Sequence, residues 1–198
     1  NKEEAIFYFK MAIDKGNSLA MLSYGLMLQN GEGVQVDENE AIKYYKMAID
    51  QDNTDAMVLY GTMLLNGEGV EMNKEEGVRY IKMSVDKENA DAMNKYGLML
   101  QNGDGVEIDK EKAIFYYKMA IDKGNTDSML NYGILLQNEA ADEMNINEAI
   151  NLFKRAAEKG NIQAMLKCSD VFQKGDGVEA DIDEARRYLK MAADNGYL

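Results

Sequence analysis

The feature that most constrains this chain is an internal repeat. A shift of 36 residues superposes five asparagines without any insertion or deletion: Asn17, Asn53, Asn89, Asn125 and Asn161. Residues 18–53 and 90–125 are identical at 23 of 36 positions. Repetition at a fixed period predicts a solenoid of stacked units. Such an array displays surfaces and loops and seldom builds one deep catalytic pocket, so the repeat favours a binding protein.

The composition suits helices joined by glycine turns. Hydrophobic residues make up 46% of the 198 residues, enough for a continuous core, and proline is absent. No apolar run approaches the roughly 18 to 20 residues that a membrane-spanning helix needs. We therefore expect a protein that does not insert into a membrane.

Residue types exclude several classes of site. The sequence has no histidine and one cysteine, Cys168, so it cannot form a histidine triad, a Cys/His metal site or an intrachain disulfide. Cys168 replaces a tyrosine of the other units, and we interpret it as a small buried apolar residue rather than a reactive thiol. We expect no cofactor and no metal. The lack of a disulfide pair and of an Asn-x-Ser/Thr acceptor favours a reducing compartment such as the cytoplasm.

The charge of the chain bears on its partners. The net charge is −13, from 35 acidic and 22 basic side chains with no block of one sign. An acidic surface repels nucleic acid and anionic lipid and attracts basic molecules. We therefore expect a protein or extended peptide of basic character as the partner, and no nucleic acid. The alternative is that the charge serves solubility alone.

Both ends of the sequence fall inside the repeat. Lys2–Asn17 matches Lys110–Asn125, so the chain opens on the second half of a unit. We expect a fragment of a longer array that can self-associate through its cut ends. The apolar side chains that the cuts would expose are Ile6, Phe7, Phe9, Tyr197 and Leu198.

The first segment of each unit has the pattern of an amphipathic helix, called helix A here. In Leu19–Asn30 the small and apolar residues share one face, and the asparagine column is placed to cap the helix. Glycine recurs in the middle of helix A, where it costs about 1 kcal/mol relative to alanine. We interpret these glycines as points where another helix crosses closely over small residues. The glycines are Gly25, Gly61, Gly97 and Gly133, and the small residues are Ala41, Gly77, Ala113, Ala149 and Ala185.

A glycine turn, Asn30–Val34, ends helix A and recurs at 66–70, 102–106 and 174–178. Glycine supplies the left-handed conformation that ends a helix, and the valine then enters the core. A phosphate or calcium loop is a weaker interpretation, because no strand precedes the glycines and the acids lack calcium-ligand spacing. The fourth unit instead has Glu-Ala-Ala-Asp at 139–142, which predicts a longer helix A or an irregular loop and a local change of curvature.

The second segment, helix B, starts at Asp37 with Glu40 three residues later, the pattern of an N-cap and its capping-box partner. The pair recurs as Asn73/Glu76, Asn145/Glu148 and Asp181/Glu184, whereas Asp109 is followed by Lys112. We interpret a tyrosine column on helix B as core packing rather than as an aromatic ligand cage: Tyr44, Tyr80, Tyr116 and Tyr188. We expect the lysines of the outer surface to be solvated: Lys43, Lys46, Lys82, Lys118 and Lys154.

The columns A-x-x-x-Y-G-x-x-L-x-x-G-x-G-V-x-x-D-x-x-x-A-x-x-Y-Y, from Ala20 to Tyr45, resemble the Sel-one-like repeat (SLR) family, a branch of the tetratricopeptide-like (TPR-like) α/α superhelices. The resemblance implies an all-α fold, a right-handed α/α solenoid of antiparallel helix pairs with a 36-residue repeat. It divides a single array, 1–198, into a half repeat, 1–17 (helix B only), and five repeats: 18–53, 54–89, 90–125, 126–161 and 162–198. Tyr44 stands where the family usually has tryptophan, Met47 where it tends to have lysine, and the disulfide of one bacterial branch is absent.

The family resemblance implies adaptors that hold multi-protein complexes. In tetratricopeptide-like arrays the face of helix A opposite the core lines a concave groove. Amides on this face suit the backbone of an extended peptide, apolar positions would take its side chains, and Asp55, Asp91 and Asp127 at the rim would favour Lys or Arg. The candidate residues are Leu22, Leu26, Gln29, Asn30, Val58, Thr62, Leu65, Asn66, Asn94, Leu98, Gln101, Asn102, Leu130, Ile134, Gln137, Asn138, Leu166, Asp170 and Gln173. The alternative is that the apolar columns pack one helix A against the next.

These features favour a non-catalytic scaffold or adaptor that binds a partner on the concave face. A structural spacer that positions other domains is the alternative. A hydrolase using paired carboxylates is disfavoured, because no acidic residue stands isolated in an apolar context that would raise its pKa.

Overall fold

A computed structural model of the chain describes residues 2–139 and 143–197. Every regular element in these ranges is an α-helix, and within each of the two units named below, helices adjacent in sequence pack on each other. The predicted all-α solenoid is therefore confirmed. The chain divides into two compact units, residues 1–109 and 110–198, and each is described by itself.

Unit 1 contains the half repeat and the first two and a half helix pairs. Connections of three residues lead from helix B to helix A, and connections of seven lead from helix A to helix B. Each helix packs on the next, and α4 also packs on α6. The helices are α1 (Lys2–Asp14), α2 (Ser18–Asn30), α3 (Glu38–Asp50), α4 (Thr54–Asn66), α5 (Lys74–Asp86) and α6 (Ala90–Asn102).

Unit 2 continues the alternation from helix B. Its consecutive helices also pack in pairs along the chain. The helices are α7 (Lys110–Asp122), α8 (Thr126–Glu139), α9 (Glu143–Glu158), α10 (Ile162–Lys174) and α11 (Ile182–Asp194).

The predicted asparagine caps are confirmed. The side-chain oxygen of Asn17 accepts a hydrogen bond from the Ala20 amide at 2.8 Å, which satisfies a backbone donor that the helix leaves unpaired. The other four asparagines of the column accept the equivalent bond from the residue three positions later. Each A helix therefore begins at the same repeat position.

Gly25, Gly61 and Gly133, three of the predicted mid-helix glycines, are sites of close helix crossing. A Cβ added to Gly25 would lie 2.5 Å from Cε1 of the Tyr45 ring and 3.2 Å from the Ala41 carbonyl oxygen. A Cβ added to Gly133 would lie 2.5 Å from Cε1 of the Phe153 ring. Both rings are buried, so the absence of a Cβ lets an aromatic side chain of helix B lie directly on the backbone of helix A.

The glycine turn is a structural device. Gly31, Gly67, Gly103 and Gly175 cap their helices in the left-handed conformation, with φ between 72° and 76°. The following valines pack against the core, including Val34 and Val70. A Cβ on the second glycine of the turn would meet the preceding helix B, as at Gly105, 3.0 Å from Cγ2 of Val78. The first glycine of the turn therefore ends helix A, and the second lets the turn pack against the preceding repeat.

The fourth repeat differs from the others in where its helices end and begin, and helix B does not begin at the predicted N-cap. α8 is one residue longer than the other A helices, and α9 begins at Glu143, ahead of the expected cap. Asn145 lies inside α9, so its prediction as an N-cap is wrong. The helix-forming residues that replace the glycine turn let helix B start earlier. The predicted irregular loop falls at 140–142, outside the described residues.

The remaining core agrees with the interpretation of aromatic and cysteine columns. Tyr44 packs edge-on against Tyr24 with ring centroids 4.9 Å apart, and Tyr188 is buried and stacks on Phe172 at 5.9 Å. Cys168 is 2% exposed, and burial raises the pKa of its thiol to about 12. Among the described helices, none has the length and apolar character needed to cross a lipid bilayer.

Candidate functional site

The predicted partner-binding residues of unit 1 fall into three classes of exposure. Leu22 and Leu65 are buried, with 7% and 3% of their surface accessible. The exposed members are Leu26, Asn30, Asn66 and Asn102. The half-buried members are Gln29, Val58, Thr62, Asn94, Leu98 and Gln101. The exposed and half-buried members together are called the helix-A face below.

The buried apolar members stabilise unit 1. Leu22 and Leu65 lie in its core clusters. Val58 of α4 packs against the cluster that contains Met99 of α6, and these two helices are in contact. Val58 therefore follows the alternative interpretation of the apolar columns, in which these residues pack one helix A against the next. Leu26, which is 37% exposed, keeps surface for a partner.

Gln29 is oriented by an intramolecular hydrogen bond. The hydroxyl of the fully buried Tyr45 donates to Gln29 Oε1 at 2.6 Å. Burial raises the pKa of Tyr45 to about 12, so the phenol stays protonated at neutral pH and remains a donor. Because its oxygen is occupied, Gln29 presents its Nε2 hydrogens to a partner.

The neighbouring asparagines are oriented the opposite way. Asn30 Nδ2 donates to Glu32 Oε1 at 3.2 Å, and Asn66 Nδ2 donates to Glu68 Oε1 at 2.8 Å. These bonds turn the amide nitrogens toward the glycine turn. The carbonyl oxygens of Asn30 and Asn66 remain as acceptors, so the face offers both donors and acceptors to a peptide backbone.

A cavity of about 240 Å³ lies beside Gln29 in unit 1. Its walls combine two carboxylates with apolar surface, and both carboxylates are exposed. The lining residues are Gln29, Glu38, Ala41, Met63, Glu68 and Gly69. The cavity has the chemistry to hold a cationic side chain over an apolar floor.

The predicted acidic rim has a structural role. Asn89 Nδ2 donates to Asp55 Oδ1 at 2.8 Å and to Thr54 Oγ1 at 3.0 Å, while its Oδ1 caps α6. Asn161 makes the same bonds in unit 2, to Asp127 at 2.7 Å and Thr126 at 3.3 Å. Each asparagine therefore binds the first helix of the repeat that it ends and caps the first helix of the next repeat. Sequence reasoning missed this link, although its signal, an aspartate in the second position of helix A, was visible.

The candidate residues of unit 2 lie on α8 and α10. Leu130, Ile134, Gln137 and Leu166 are half-buried, and Asn138 and Gln173 are exposed. Asp170 forms an ion pair with Lys174, with Oδ1 2.8 Å from Nζ. This pair stands where the earlier repeats have leucine, threonine or isoleucine and an asparagine, so the last repeat has a different surface from the others.

Lysines of helix B lie over aromatic rings of the next helix A, which sequence reasoning did not anticipate. The Nζ atoms of Lys10, Lys46, Lys82 and Lys118 lie 5.2 to 6.0 Å from the centroids of tyrosine rings 14 residues later. In the next repeat Cys168 replaces the tyrosine, and Nζ of Lys154 lies 5.0 Å from the centroid of the Phe172 ring instead. These lysines stabilise the stack of repeats while Lys46, Lys82 and Lys118 keep exposed surface.

Acidic side chains are numerous, but within the described residues no group of three or more His, Cys, Asp or Glu residues is placed to hold a metal ion. Hydrogen bonds from Arg187, at 2.7 and 2.8 Å, lower the pKa of Glu184. A general acid needs the opposite shift.

The comparisons with known proteins identify the repeat. The Sel1 repeat family matches residues 1–17, 18–53, 54–89, 90–125, 126–161 and 162–197. A Sel1 repeat protein from Oxalobacter formigenes is 30% identical with a TM-score of 0.85, over 98% of this chain and 80% of that chain. The crystal structure of c5321, a protective antigen in uropathogenic Escherichia coli that displays an SLR fold, is 26% identical with a TM-score of 0.77, over 99% of this chain and 42% of that chain.

More distant structures share the fold alone. Immunity protein Pa5087 from Pseudomonas aeruginosa is 18% identical with a TM-score of 0.74, over 96% of this chain and 73% of that chain. None of the curated proteins matches this chain in sequence.

Proposed function

This chain belongs to the Sel1 repeat family, and on that premise we propose that it is a non-catalytic scaffold that binds an extended segment of a partner protein on the helix-A face. Proteins built from this repeat generally mediate protein–protein interaction. The partner segment is basic, because the chain carries a net charge of −13 and its exposed amides lie beside carboxylates.

The cavity beside Gln29 carries this proposal. The Gln29 amide nitrogen suits a peptide carbonyl, and Ala41 and Met63 provide apolar surface. Glu38 and Glu68 suit the ammonium or guanidinium of a lysine or arginine. One residue of an extended chain can use all three at once: its carbonyl, its aliphatic stem and its charged end.

The experiment that tests this function is selection of peptides from a random display library on the immobilised protein. Peptides rich in Lys or Arg are expected from the parent protein. These peptides should bind a variant with Leu26→Lys and Glu38→Lys at least about tenfold more weakly than they bind the parent. The first change repels a basic chain at the helix-A face, and the second repels it at the cavity beside Gln29. The matched control is Leu189→Lys with Asp122→Lys, which makes the same changes at exposed positions elsewhere.

The outcomes of this selection separate scaffold from spacer. Loss of binding in the helix-A variant alone, with equal circular dichroism for all three proteins, supports the scaffold. Equal binding by the two variants contradicts the helix-A face as the site. Failure to enrich any peptide on the parent favours the alternative, a structural spacer that positions other domains.

Self-association is a second expectation, and the structure changes the residues that would carry it. Phe7 and Tyr8 of α1 are 59% and 60% exposed, whereas Ile6 and Phe9 are half-buried against the core of unit 1. The prediction that Ile6 and Phe9 lie open is therefore wrong, because the face of α1 that carries them packs on α2. We propose that copies of this chain associate through Phe7 and Tyr8. Sedimentation equilibrium of a Phe7→Lys, Tyr8→Lys variant, expected to be monomeric where the parent is not, tests it.

A further inference from the structure

A column of exposed apolar side chains lies in the turn between helix A and helix B. Val36, Met72 and Ile108 of unit 1 are 54%, 60% and 63% exposed. They occupy the same position in three successive repeats, directly before the N-cap residue of helix B. Met144, at the equivalent repeat position in unit 2, lies in the first turn of α9 and is 72% exposed. Apolar surface that recurs in solvent at a fixed repeat position is unusual for a residue with no partner.

Local packing does not explain the size of these side chains. Each lies against the glycine that ends helix A: a Cβ on Gly31 would be 2.9 Å from Cγ2 of Val36. In the last repeat the position is Ala180, whose Cβ would lie 3.4 Å from a Cβ on Gly175. A methyl group is therefore enough to cover the glycine and close the turn. Some of the additional carbons also contact the glycine, as Val36 Cγ2 does, but 54% to 63% of the surface of these three residues lies in solvent, so local packing accounts for only part of their size.

The three turns of unit 1 form one continuous edge. A Cβ on Gly69, in the second turn, would lie 3.2 Å from Oε2 of Glu38, which begins the helix after the first turn. A Cβ on Gly105, in the third turn, would lie 3.6 Å from Cβ of Lys74, which begins the helix after the second. Lys74 also pairs with Asp104 at 3.1 Å. The apolar residues Val36, Met72 and Ile108, with their flanking acids, are called the turn edge below.

The turn edge is acidic. Residues 31–37, 67–73 and 103–109 contain seven Asp or Glu residues and no Lys or Arg. Glu32, Glu68, Glu71 and Glu107 are exposed beside the apolar column. Hydrogen bonds from Asn30 and Asn66 hold the first two in place. Apolar groups flanked by oriented carboxylates match a ligand that carries apolar and cationic side chains together.

We propose that the turn edge binds an extended segment of a partner protein in which an apolar residue recurs about every third position with Lys or Arg between. Packed helices lie about 8 to 10 Å apart. A segment in the polyproline II conformation has three residues per turn and rises about 3.1 Å per residue, so residues three apart share one face and lie about 9 Å apart. Each apolar side chain of the segment then meets one of Val36, Met72 and Ile108. This surface shares the carboxylate of Glu68 with the cavity beside Gln29, but its apolar column is separate from the helix-A face, so the proposal goes beyond the function proposed above.

The test measures binding of a labelled synthetic peptide of repeated Val-Lys-Lys triplets by fluorescence polarisation. The comparison peptides are Ser-Lys-Lys triplets, which keep the charge, and Val-Glu-Glu triplets, which reverse it. The protein variant is Val36→Ala, Met72→Ala, Ile108→Ala, which copies the alanine of the last repeat and should fold. The control is Met47→Ala, Phe115→Ala, Leu189→Ala, three exposed apolar residues outside the turn edge.

The parent and the control are expected to bind the Val-Lys-Lys peptide roughly tenfold more tightly than the turn-edge variant does, and roughly tenfold more tightly than they bind the Ser-Lys-Lys peptide. Equal affinity of parent and turn-edge variant would overturn the proposal. So would equal affinity for the Val-Lys-Lys and Ser-Lys-Lys peptides, because charge alone would then account for binding. Absence of binding to the parent would overturn it as well. A Leu26→Lys variant, which leaves Glu38 and Glu68 unchanged, should bind this peptide within a few-fold of the parent, so failure of one proposal is distinguishable from failure of the other.

Discussion

The backbones of Gly61 in α4 and Gly77 in α5 touch each other. A Cβ on Gly77 would lie 2.8 Å from the Gly61 carbonyl oxygen, and a Cβ on Gly61 would lie 3.0 Å from the Gly77 carbonyl oxygen. The other repeats carry alanine at the position of Gly77, as at Ala41. In this one repeat both members of the crossing have lost the Cβ, so helices A and B approach through bare backbone.

Gly77→Ala would restore the residue of the other repeats and is expected to destabilise the protein. Helix propensity alone favours the change by about 1 kcal/mol, but the new Cβ would meet the Gly61 oxygen and Leu65 Cγ, each at 2.8 Å. A net loss of about 1 to 3 kcal/mol in the free energy of unfolding is expected from urea denaturation. Asn151→Ala, at an exposed position of α9, measures propensity alone. A stabilised Gly77→Ala variant would show that the helices simply move apart.

Asn89→Asp is expected to destabilise the protein although aspartate is as good an N-cap. The carboxylate can still accept from the Ala92 amide, but it cannot donate to Asp55 and would repel it. We expect a loss of about 1 to 2 kcal/mol by urea denaturation. The double variant Asp55→Asn, Asn89→Asp exchanges donor and acceptor and should recover most of this loss. Failure of the double variant to recover would contradict a direct link between the repeats.

Lys46→Met is expected to weaken the stack of repeats slightly. Methionine keeps the aliphatic stem and removes the charge that lies 5.2 Å from the centroid of the Tyr60 ring. Lys43→Met, at an exposed position of the same helix, makes the same change of net charge. The difference between the two variants should be about 0.5 kcal/mol, measured by thermal and urea denaturation. Equal stabilities of the two variants would mean that Lys46 affects the free energy of unfolding through the net charge alone and not through its contact with the Tyr60 ring.

Asp52→Gly is expected to stabilise the protein. Asp52 has a φ of 62°, and glycine takes this left-handed position at the end of most other B helices, as at Gly124 with a φ of 89°. Relief of backbone strain should raise the free energy of unfolding by about 0.5 to 1 kcal/mol. The ion pair lost with Lys87 is worth little, because the Asp52 side chain is 77% exposed.

Gly124→Ala provides the converse of that change. Nothing lies within 4 Å of a Cβ at Gly124, so a loss of about 1 kcal/mol would report backbone strain alone. Unchanged stability in both Asp52→Gly and Gly124→Ala would contradict the argument from strain.

Features that depend on nearby residues were predictable from the sequence. The cap formed by Asn17 involves an amide three residues away, and the end of α2 at Gly31 depends on the glycine itself. Both follow from chemistry within one turn of helix. The error at Asn145 has a local cause too, since a good cap pattern lies downstream of residues that already favour helix.

Contacts between residues of different columns were not predictable from the sequence. The repeat period shows which residues occupy equivalent positions, but it does not show which of these positions are in contact in the folded protein. The orientation of Gln29 depends on Tyr45, 16 residues away, and that of Asp55 depends on Asn89, 34 residues away. The burial of Leu65 likewise depends on α5 and α6, where Ile81 and Met99 complete its cluster. The surface available to a partner therefore emerges only from the packed repeats.

The asparagine that joins two repeats also bears on how the gene for such a protein can lengthen or shorten. Asn89 serves the repeat that it ends and the next one, and Asn161 does the same with Thr126 and Asp127. In-frame duplication or deletion of a 36-residue block within residues 54–161, where Asp55, Asp91 and Asp127 occupy one repeat position, would leave an aspartate at that position beside the asparagine of the new junction. Copy number can therefore change by recombination without a compensating mutation, and selection can set the length of the array separately from its sequence.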